Sequence, residues 1–200
     1  MLPLRLLLAA SIALALPACQ HSGAATATDP ASAPATQLAA SARTRLGAVG
    51  GSGVGGELAF TIDNGGVRVT GTLTGLKPGA THALHVHEFG DCSAPDATSA
   101  GGHVNPTQLA HGNRAAGGAH HAGDIPNQVA GADGVARVDQ LLAGLEIGSG
   151  GASDIVGKGV IVHAKADDYT TQPTGGAGGR IACGVIGLEN APPTGNDPAA

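Results

Sequence analysis

The chain has 200 residues and a formal net charge of −5 at pH 7, and 42% of its residues are hydrophobic but only 2% are aromatic. The mildly acidic balance argues against nucleic acid as a partner, because nucleic-acid-binding surfaces are strongly basic. Thirty-four glycines and no tryptophan predict a small aliphatic core with many tight turns.

The first 19 residues are predicted to be an export signal. Arg5 lies in a short start, residues 6–16 are almost entirely apolar, and Leu16-Pro17-Ala18-Cys19 ends the segment. This pattern is typical of a secretory signal peptide, whereas a membrane-spanning helix needs about 20 apolar residues. The last four residues resemble a bacterial lipobox, which predicts lipidation of Cys19, a membrane tether and a periplasmic location. The alternative is simple cleavage near Ala18, which would leave Cys19 as a free thiol.

Two flanking segments are predicted to lack a fold. Residues 20–45 are rich in Ala, Thr, Ser and Pro, and residues 190–200 contain Pro192-Pro193 and Gly195. Such segments bury too little apolar surface to fold, so we expect a disordered linker and a flexible tail. Residues 46–189 then have the size of one domain.

The domain is predicted to consist of short strands. Residues 58–62 and 67–73 flank Asp63-Asn64-Gly65-Gly66, and Asn-Gly between two alternating runs is a strong hairpin signal. Further short runs rich in β-branched residues are 82–88, 135–138, 159–163 and 180–188. Residues 141–147 have a helical period, although a strand or loop is equally compatible with them. Without alternating helices, the pattern predicts an all-β fold, an antiparallel sandwich or barrel.

The histidines carry the chemical signal. His85 and His87 are two apart on a predicted strand and therefore face the same side, whereas His82 has the opposite parity and is expected to be a surface or hydrogen-bonded histidine. His163 is the lone polar residue of another apolar strand. The remaining candidate ligands lie in or next to a long Gly-rich segment: His103, His111, His121 and Asp124.

These residue types point to metal ions. Neutral imidazole is a common ligand of zinc and copper, a carboxylate in the set favours zinc, and an all-imidazole set accommodates copper. Six histidines and one aspartate are too many ligands for one tetrahedral ion and about right for two.

Three cysteines fit an exported protein. If Cys19 carries lipid, Cys92 and Cys183 remain as a pair, and disulfides persist in an oxidising compartment. A bridge between them would close a loop of about 90 residues, worth about 4–5 kcal/mol in the chain-entropy model. The alternative is two unpaired thiols.

Five ordered segments resemble copper/zinc superoxide dismutases of the bacterial exported type. They are His85-Val86-His87-Glu88-Phe89-Gly90-Asp91-Cys92, Ser99-Ala100-Gly101-Gly102-His103-Val104-Asn105-Pro106, His121-Ala122-Gly123-Asp124, Val162-His163-Ala164-Lys165-Ala166-Asp167-Asp168, and Gly178-Gly179-Arg180-Ile181-Ala182-Cys183-Gly184-Val185-Ile186. The resemblance covers residues 46–188. It implies an immunoglobulin-like Greek-key β-barrel or sandwich and an antioxidant oxidoreductase that converts superoxide to oxygen and hydrogen peroxide.

The resemblance also implies a role for each site residue. One copper per chain would be held by His85, His87, His103 and His163, and one zinc by His103, His111, His121 and Asp124. His103 would bridge the two ions as an imidazolate and supply a proton when the bridge opens. Asp167 would fix the rings of His85 and His111, and Arg180 would attract the superoxide anion. A Cys92–Cys183 disulfide would pin the loop that carries the first cysteine.

Some residues depart from the family pattern. His120 precedes His121 and could compete for zinc, but the His-x-x-Asp spacing favours His121. Residues 168–176 lack the charged cluster found in many animal relatives, so electrostatic steering would depend on Arg180. Asp168 is expected to be a plain surface acid.

Two other functions and the oligomeric state stay open at this point. A periplasmic copper- or zinc-binding protein without turnover would use the same ligands, and a cupin-like metal enzyme would use only His85 and His87. One copper plus one zinc per chain would separate a dismutase from a cupin. Relatives exist as monomers and as dimers, so a homodimer is an open alternative.

Overall fold

The computed structural model describes residues 41–189, which form nine strands and two short 3-10 turns. The strands are β1 (Ser41–Ala48), β2 (Gly55–Asp63), β3 (Gly66–Thr74), β4 (Thr81–His87), β5 (Asp124–Val129), β6 (Ala136–Ala143), β7 (Gly159–His163), β8 (Arg180–Val185) and β9 (Gly187–Leu188). The two turns are Thr98–Ala100 and Arg114–Ala116. Within these residues, no helix has the length and apolar character needed to cross a membrane.

The strands form one antiparallel sheet that curls into a nearly closed barrel. Their order is β5-β4-β7-β8-β1-β2-β3-β6, with β9 paired to β1, and the two end strands β5 and β6 contact each other. The connections from β3 to β4 and from β6 to β7 join strands that are not neighbours, as in a Greek key. The predicted all-β antiparallel barrel is confirmed.

The barrel interior is aliphatic. Alternate residues of the central strands point inward, as Leu58 and Phe60 do on β2 and Val67 and Val69 on β3, and all four are buried. Phe60 is the one aromatic ring in this core among the described residues, and burying such a side chain stabilises the fold by about 1.5–3 kcal/mol.

The predicted hairpin is confirmed, and its turn is tight. Asp63 pairs with Gly66, so Asn64 and Gly65 alone make the turn between β2 and β3. Gly65 has a φ of 86°, a conformation that costs a glycine little. The ambiguous segment 141–147 is not helical: its first three residues end β6 and the others enter the connection to β7.

Two strands begin where the sequence did not predict them. β1 starts at Ser41, inside the predicted linker, because Ala42, Thr44 and Leu46 alternate inward and are buried. β5 was not predicted, because Pro126 and polar neighbours interrupt its apolar pattern. The predicted signal peptide with Cys19, residues 20–40 of the linker and the tail 190–200 lie outside the described residues.

Strands β4 and β7 position the histidines. Leu84, Val86 and the facing residues of β7 point into the core, so His85 and His87 point to the opposite side of the sheet. Two connections cover that side: residues 88–123, called here the long loop, and residues 164–179, called the short loop.

Candidate metal centre

Backbone hydrogen bonds dock the long loop on the end of β4. Val86 N–H donates to Gly123 O at 2.9 Å, Val104 N–H donates to Val86 O at 2.9 Å, and Gly123 N–H donates to Val104 O at 2.8 Å. This small ladder places His103 and His121, which are next or near to these residues in the chain, beside the strand histidines.

The predicted ligands come together in two groups that share one residue. The all-histidine group is His85, His87, His103 and His163, and the mixed group is His103, His111, His121 and Asp124. All seven side chains are buried, and within each group the candidate ligand atoms lie within 4.8 Å of one another. His103 belongs to both groups.

The spacing of the ligand atoms fits metal ions. His87 Nε2 and His163 Nε2 are 3.4 Å apart, and His121 Nδ1 and His103 Nδ1 are 3.3 Å apart. Zinc–nitrogen bonds of about 2.0–2.1 Å in a tetrahedron separate the ligand atoms by about 3.3–3.4 Å. Each pair is thus about one tetrahedral edge long.

Several ring nitrogens are buried without a protein partner. Among the described residues, His85 Nδ1, His103 Nε2 and His111 Nδ1 have no hydrogen bond. His111 Nδ1 is 3.0 Å from Asp124 Oδ2 but not in hydrogen-bonding geometry, as expected for two ligand atoms aimed at a common point. A buried polar atom without a partner costs about 1–3 kcal/mol, so a metal ion at each group would remove this penalty. The residues therefore fit two ions.

Hydrogen bonds at the opposite ring atoms select which nitrogen faces each group. His87 Nδ1 donates to Gly101 O at 2.9 Å, and His163 Nδ1 lies 3.3 Å from Gly178 O, which leaves both Nε2 atoms free. His85 Nε2 donates to Asp167, which leaves Nδ1 free. A metal-binding histidine is oriented by such a bond at its second nitrogen.

Burial keeps His85, His87 and His163 of the all-histidine group neutral. It lowers the pKa of His87 to about 2 and of His163 to about 4, and it holds the pKa of His85 well below 6.5. Neutral imidazole is the metal-binding form, so no proton has to be displaced near neutral pH. Burial alone would raise the pKa of Asp124, but hydrogen bonds, first that from His103, hold its pKa well below the ordinary value.

Asp167 connects the two groups through ring nitrogens that face away from the candidate metal positions. Its Oδ2 accepts from His85 Nε2 at 2.9 Å and its Oδ1 accepts from His111 Nε2 at 2.9 Å. The Tyr169 backbone N–H also donates to Oδ1, at 2.7 Å. Asn127 holds the backbone of Asp167, because its side-chain amide bonds both the N–H and the carbonyl at 2.8 Å.

Arg180 lies directly across from His163 in the β7–β8 pairing. Its guanidinium donates to Ala97 O at 2.5 Å and to Gly101 O at 2.6 Å, so the long loop holds it in place. Its positive charge makes a smaller contribution, after burial, to the lowered pKa values of His87 and His163. A fixed cation therefore stands beside the all-histidine group.

A disulfide joins Cys92 of the long loop to Cys183 of β8, so the predicted pairing is confirmed. Cys183 packs in a small cluster with Ala97, Ala100 and Ile161. Since Ala97 O is also a partner of Arg180, the bridge lies next to the segment that orients this arginine.

Three residues stand outside the groups as expected. His120 is half-buried and bonds Gly118 O, and it belongs to neither group. His82 is buried and its Nδ1 lies 2.8 Å from His163 O, so it is the hydrogen-bonded histidine that its parity predicted. Asp168 is exposed and accepts hydrogen bonds from Thr170 and Thr171.

The sequence did not predict four residues whose hydrogen bonds to the site involve backbone atoms. Gly101 and Gly178 contribute carbonyl groups that orient histidine rings, and Asn127 and Gln172 contribute side-chain amides that hold the backbones of Asp167 and His111. None of these residues stands at a metal-ligand spacing, so the pattern of the chain carried no signal for them.

Comparisons with known proteins agree with this geometry. The family model for copper/zinc superoxide dismutase (SODC) matches residues 54–186. The Cu-Zn superoxide dismutase of Caulobacter vibrioides is 43% identical over 136 residues, which cover 66% of this chain and 77% of that protein. The Cu-Zn superoxide dismutase 2 of Mesembryanthemum crystallinum is 42% identical over 147 residues, which cover 70% of this chain and 91% of that protein.

A solved structure has the same fold. The crystal structure of a SOD-like protein from Bacillus subtilis superposes with a TM-score of 0.64 at 37% identity, covering 72% of this chain and 96% of that one. The family match excludes the cupin-like alternative. The chain belongs to the copper/zinc superoxide dismutase family, whose activity is the conversion of superoxide to oxygen and hydrogen peroxide with one copper and one zinc.

Proposed function

We propose that this chain is an exported superoxide dismutase in which His85, His87, His103 and His163 hold copper. Zinc is held by His103, His111, His121 and Asp124. The observation that carries this assignment is the pair of four-residue groups that share His103, one composed of imidazoles alone and one containing a carboxylate. A carboxylate favours zinc, and four imidazoles suit copper.

His103 is the catalytic residue that joins the two groups. Copper, when bound, supplies the one-electron oxidation and reduction that dismutation requires, and zinc supplies a second positive charge that is not redox-active. Two superoxide ions and two protons give one oxygen and one hydrogen peroxide. His103 Nε2 is buried without a protein partner, so it is the atom at which this chain holds and releases one of these protons. Solvent supplies the other.

Arg180 is the second catalytic residue, because it binds the anionic substrate. Two carbonyl groups fix its guanidinium beside the all-histidine group. A fixed positive charge at the entrance raises the local concentration of superoxide and so its rate of arrival. The short loop adds no net positive charge, because its one cation, Lys165, is outnumbered by Asp167 and Asp168.

Asp167 orients ligands of both ions. Its two carboxylate oxygens bond the outer nitrogens of His85 and His111, so it holds one ring of each group in a defined tautomer. Without this acceptor both rings could rotate or exchange protons.

Export, lipidation and assembly are proposed from separate observations. The charged start, the apolar run 6–16 and the lipobox-like ending support a signal peptide, lipidation of Cys19 and a tethered periplasmic enzyme. The disulfide agrees with an oxidising compartment. Five large apolar side chains are exposed among the described residues and are the candidates for a homodimer contact: Ile62, Phe89, Leu109, Val129 and Leu141. Mass spectrometry of the mature N-terminus and the mass of the particle in solution test these proposals.

Superoxide decay followed by stopped flow tests the function. The mature domain loaded with copper and zinc is compared with the same domain loaded with zinc only. We expect decay near the diffusion limit that requires copper. Decay no faster than that of the zinc-only protein, with both metals bound, would favour a metal-binding protein without turnover.

A further inference from the structure

Gln172 in the short loop grips the backbone of His111 in the long loop. Gln172 Oε1 accepts from the His111 backbone N–H at 3.0 Å, and Gln172 Nε2 donates to the His111 carbonyl at 2.9 Å. A single primary amide thus pairs with both backbone groups of one residue, although the two residues are 61 positions apart in the chain.

The Gln172 side chain provides the hydrogen bonds of the His111 backbone. Within residues 41–189, its N–H and carbonyl have no other hydrogen-bond partner. The residue belongs to no strand, so no sheet neighbour holds it in place. The position of the His111 backbone therefore depends on Gln172.

Each nitrogen of the His111 ring faces a carboxylate, although only Nε2 makes a hydrogen bond. Nε2 donates to Asp167 Oδ1 at 2.9 Å, and Nδ1 faces Asp124 Oδ2 at 3.0 Å. If the backbone moves, the ring cannot keep both contacts. The short loop packs closely against this contact at Gly175. A Cβ at that position would overlap Asp167 Oδ1 and reach within 2.7 Å of His111 Nε2.

A second amide grips the other end of the same contact. Asn127 bonds the N–H and the carbonyl of Asp167, both at 2.8 Å. The contact between His111 and Asp167 is thus held at each end by a side-chain amide, with Asn127 on a strand and Gln172 on a loop. Gln172 lies on a loop, so replacing it can be expected to leave the barrel strands unchanged.

We propose that Gln172 is a positioning residue for zinc: its amide holds His111 in the orientation that binds the ion, so the short loop sets the affinity of the mixed group. The inference rests on the proposed assignment of His111 to zinc. The short loop would then function in zinc binding. Its composition does not favour a role in attracting the anionic substrate.

The test uses the full domain with three variants. Gln172→Leu removes both hydrogen bonds to His111 together with a longer one from Nε2 to the Thr170 carbonyl at 3.4 Å. Gln172→Glu keeps nearly the same shape but sets an oxygen against the His111 carbonyl. Thr174→Ala changes the same loop two residues away and serves as the matched control. Zinc affinity is measured by competition with a chelator, and cobalt(II) bound in place of zinc reports the ligand geometry through its visible absorption.

We expect both Gln172 variants to bind zinc about 10- to 100-fold more weakly, the range typical for partners that orient a metal ligand. Their cobalt(II) bands should shift, whereas Thr174→Ala should match the wild type in both measurements. Copper affinity should change less, because His111 is not in the all-histidine group.

The outcomes separate this inference from the function on which it rests. Gln172→Glu and Gln172→Leu proteins with wild-type zinc affinity and cobalt(II) bands would overturn the positioning role alone. An equal loss in Thr174→Ala would also overturn it, since the effect would belong to the loop as a whole. A wild-type protein that binds neither zinc nor cobalt(II) at this group would overturn the metal assignment itself.

Discussion

Asp167→Asn is expected to weaken zinc binding by this protein while leaving the barrel intact. The carboxylate accepts three hydrogen bonds, from His85 Nε2, His111 Nε2 and the Tyr169 backbone N–H. An asparagine has one acceptor oxygen, and its NH2 group would face an N–H donor in either orientation. His85 is fixed by strand pairing on both sides, whereas His111 lies in a loop. In either orientation the charge-assisted hydrogen bond to His111 is lost or replaced by a weaker bond to a neutral amide, so we expect His111 to be the ring that moves.

The magnitude follows from the hydrogen bond that is lost. A hydrogen bond to a charged group contributes about 1.5–3 kcal/mol, which corresponds to about 10- to 150-fold in zinc affinity. Chelator competition on the purified domain measures this loss. Asp168→Asn is the matched control, because it makes the same charge change at the next residue, which is exposed and contacts only its own turn. Equal zinc affinity in the two variants would refute the reasoning.

Three further expectations follow from the geometry. Arg180→Ala should lower the superoxide rate constant about tenfold or more and weaken its dependence on salt, and an unchanged rate at low ionic strength would contradict its role. The metal-free protein should lose stability as the pH falls below 6.5, because His87 and His163 have folded pKa values of about 2 and about 4 and the unfolded chain binds more protons. These two rings together should lower the free energy of unfolding by about 4 kcal/mol between pH 7 and pH 5, and urea titrations that agree at both pH values would exclude this linkage. Replacing both Cys92 and Cys183 by alanine should lower the free energy of unfolding by about 4–5 kcal/mol, since the bridge spans 91 positions. A loss below about 1 kcal/mol, measured against the oxidised wild type, would show that the unfolded chain is constrained in another way.

The candidate metal site was predictable because its residues obey simple geometry. Two histidines that are two apart on a strand face the same side, so the sequence alone predicts that His85 and His87 lie together. A histidine inside an apolar strand needs a partner, which singled out His163. The hairpin at Asn64 was equally clear, because its turn chemistry is local.

The rest depended on contacts between residues that are far apart in the chain. Gln172 and Asn127 act by bonding the backbone of other residues, so their partners could be of any type and leave no pattern. The start of β1 escaped prediction for a related reason. Its inward residues, such as Ala42 and Thr44, are small, and only the barrel around them makes these positions buried.

One consequence concerns how this molecule can be observed. The chain has one tyrosine and no tryptophan, and that tyrosine is Tyr169, whose hydroxyl accepts from the Asn127 backbone N–H at 2.9 Å and whose own N–H donates to Asp167. The tyrosine emission of the protein therefore comes from a single ring, two residues from Asp167 in the chain. A paramagnetic copper ion held by the all-histidine group would quench such emission. The protein thus contains its own optical reporter of metal occupancy.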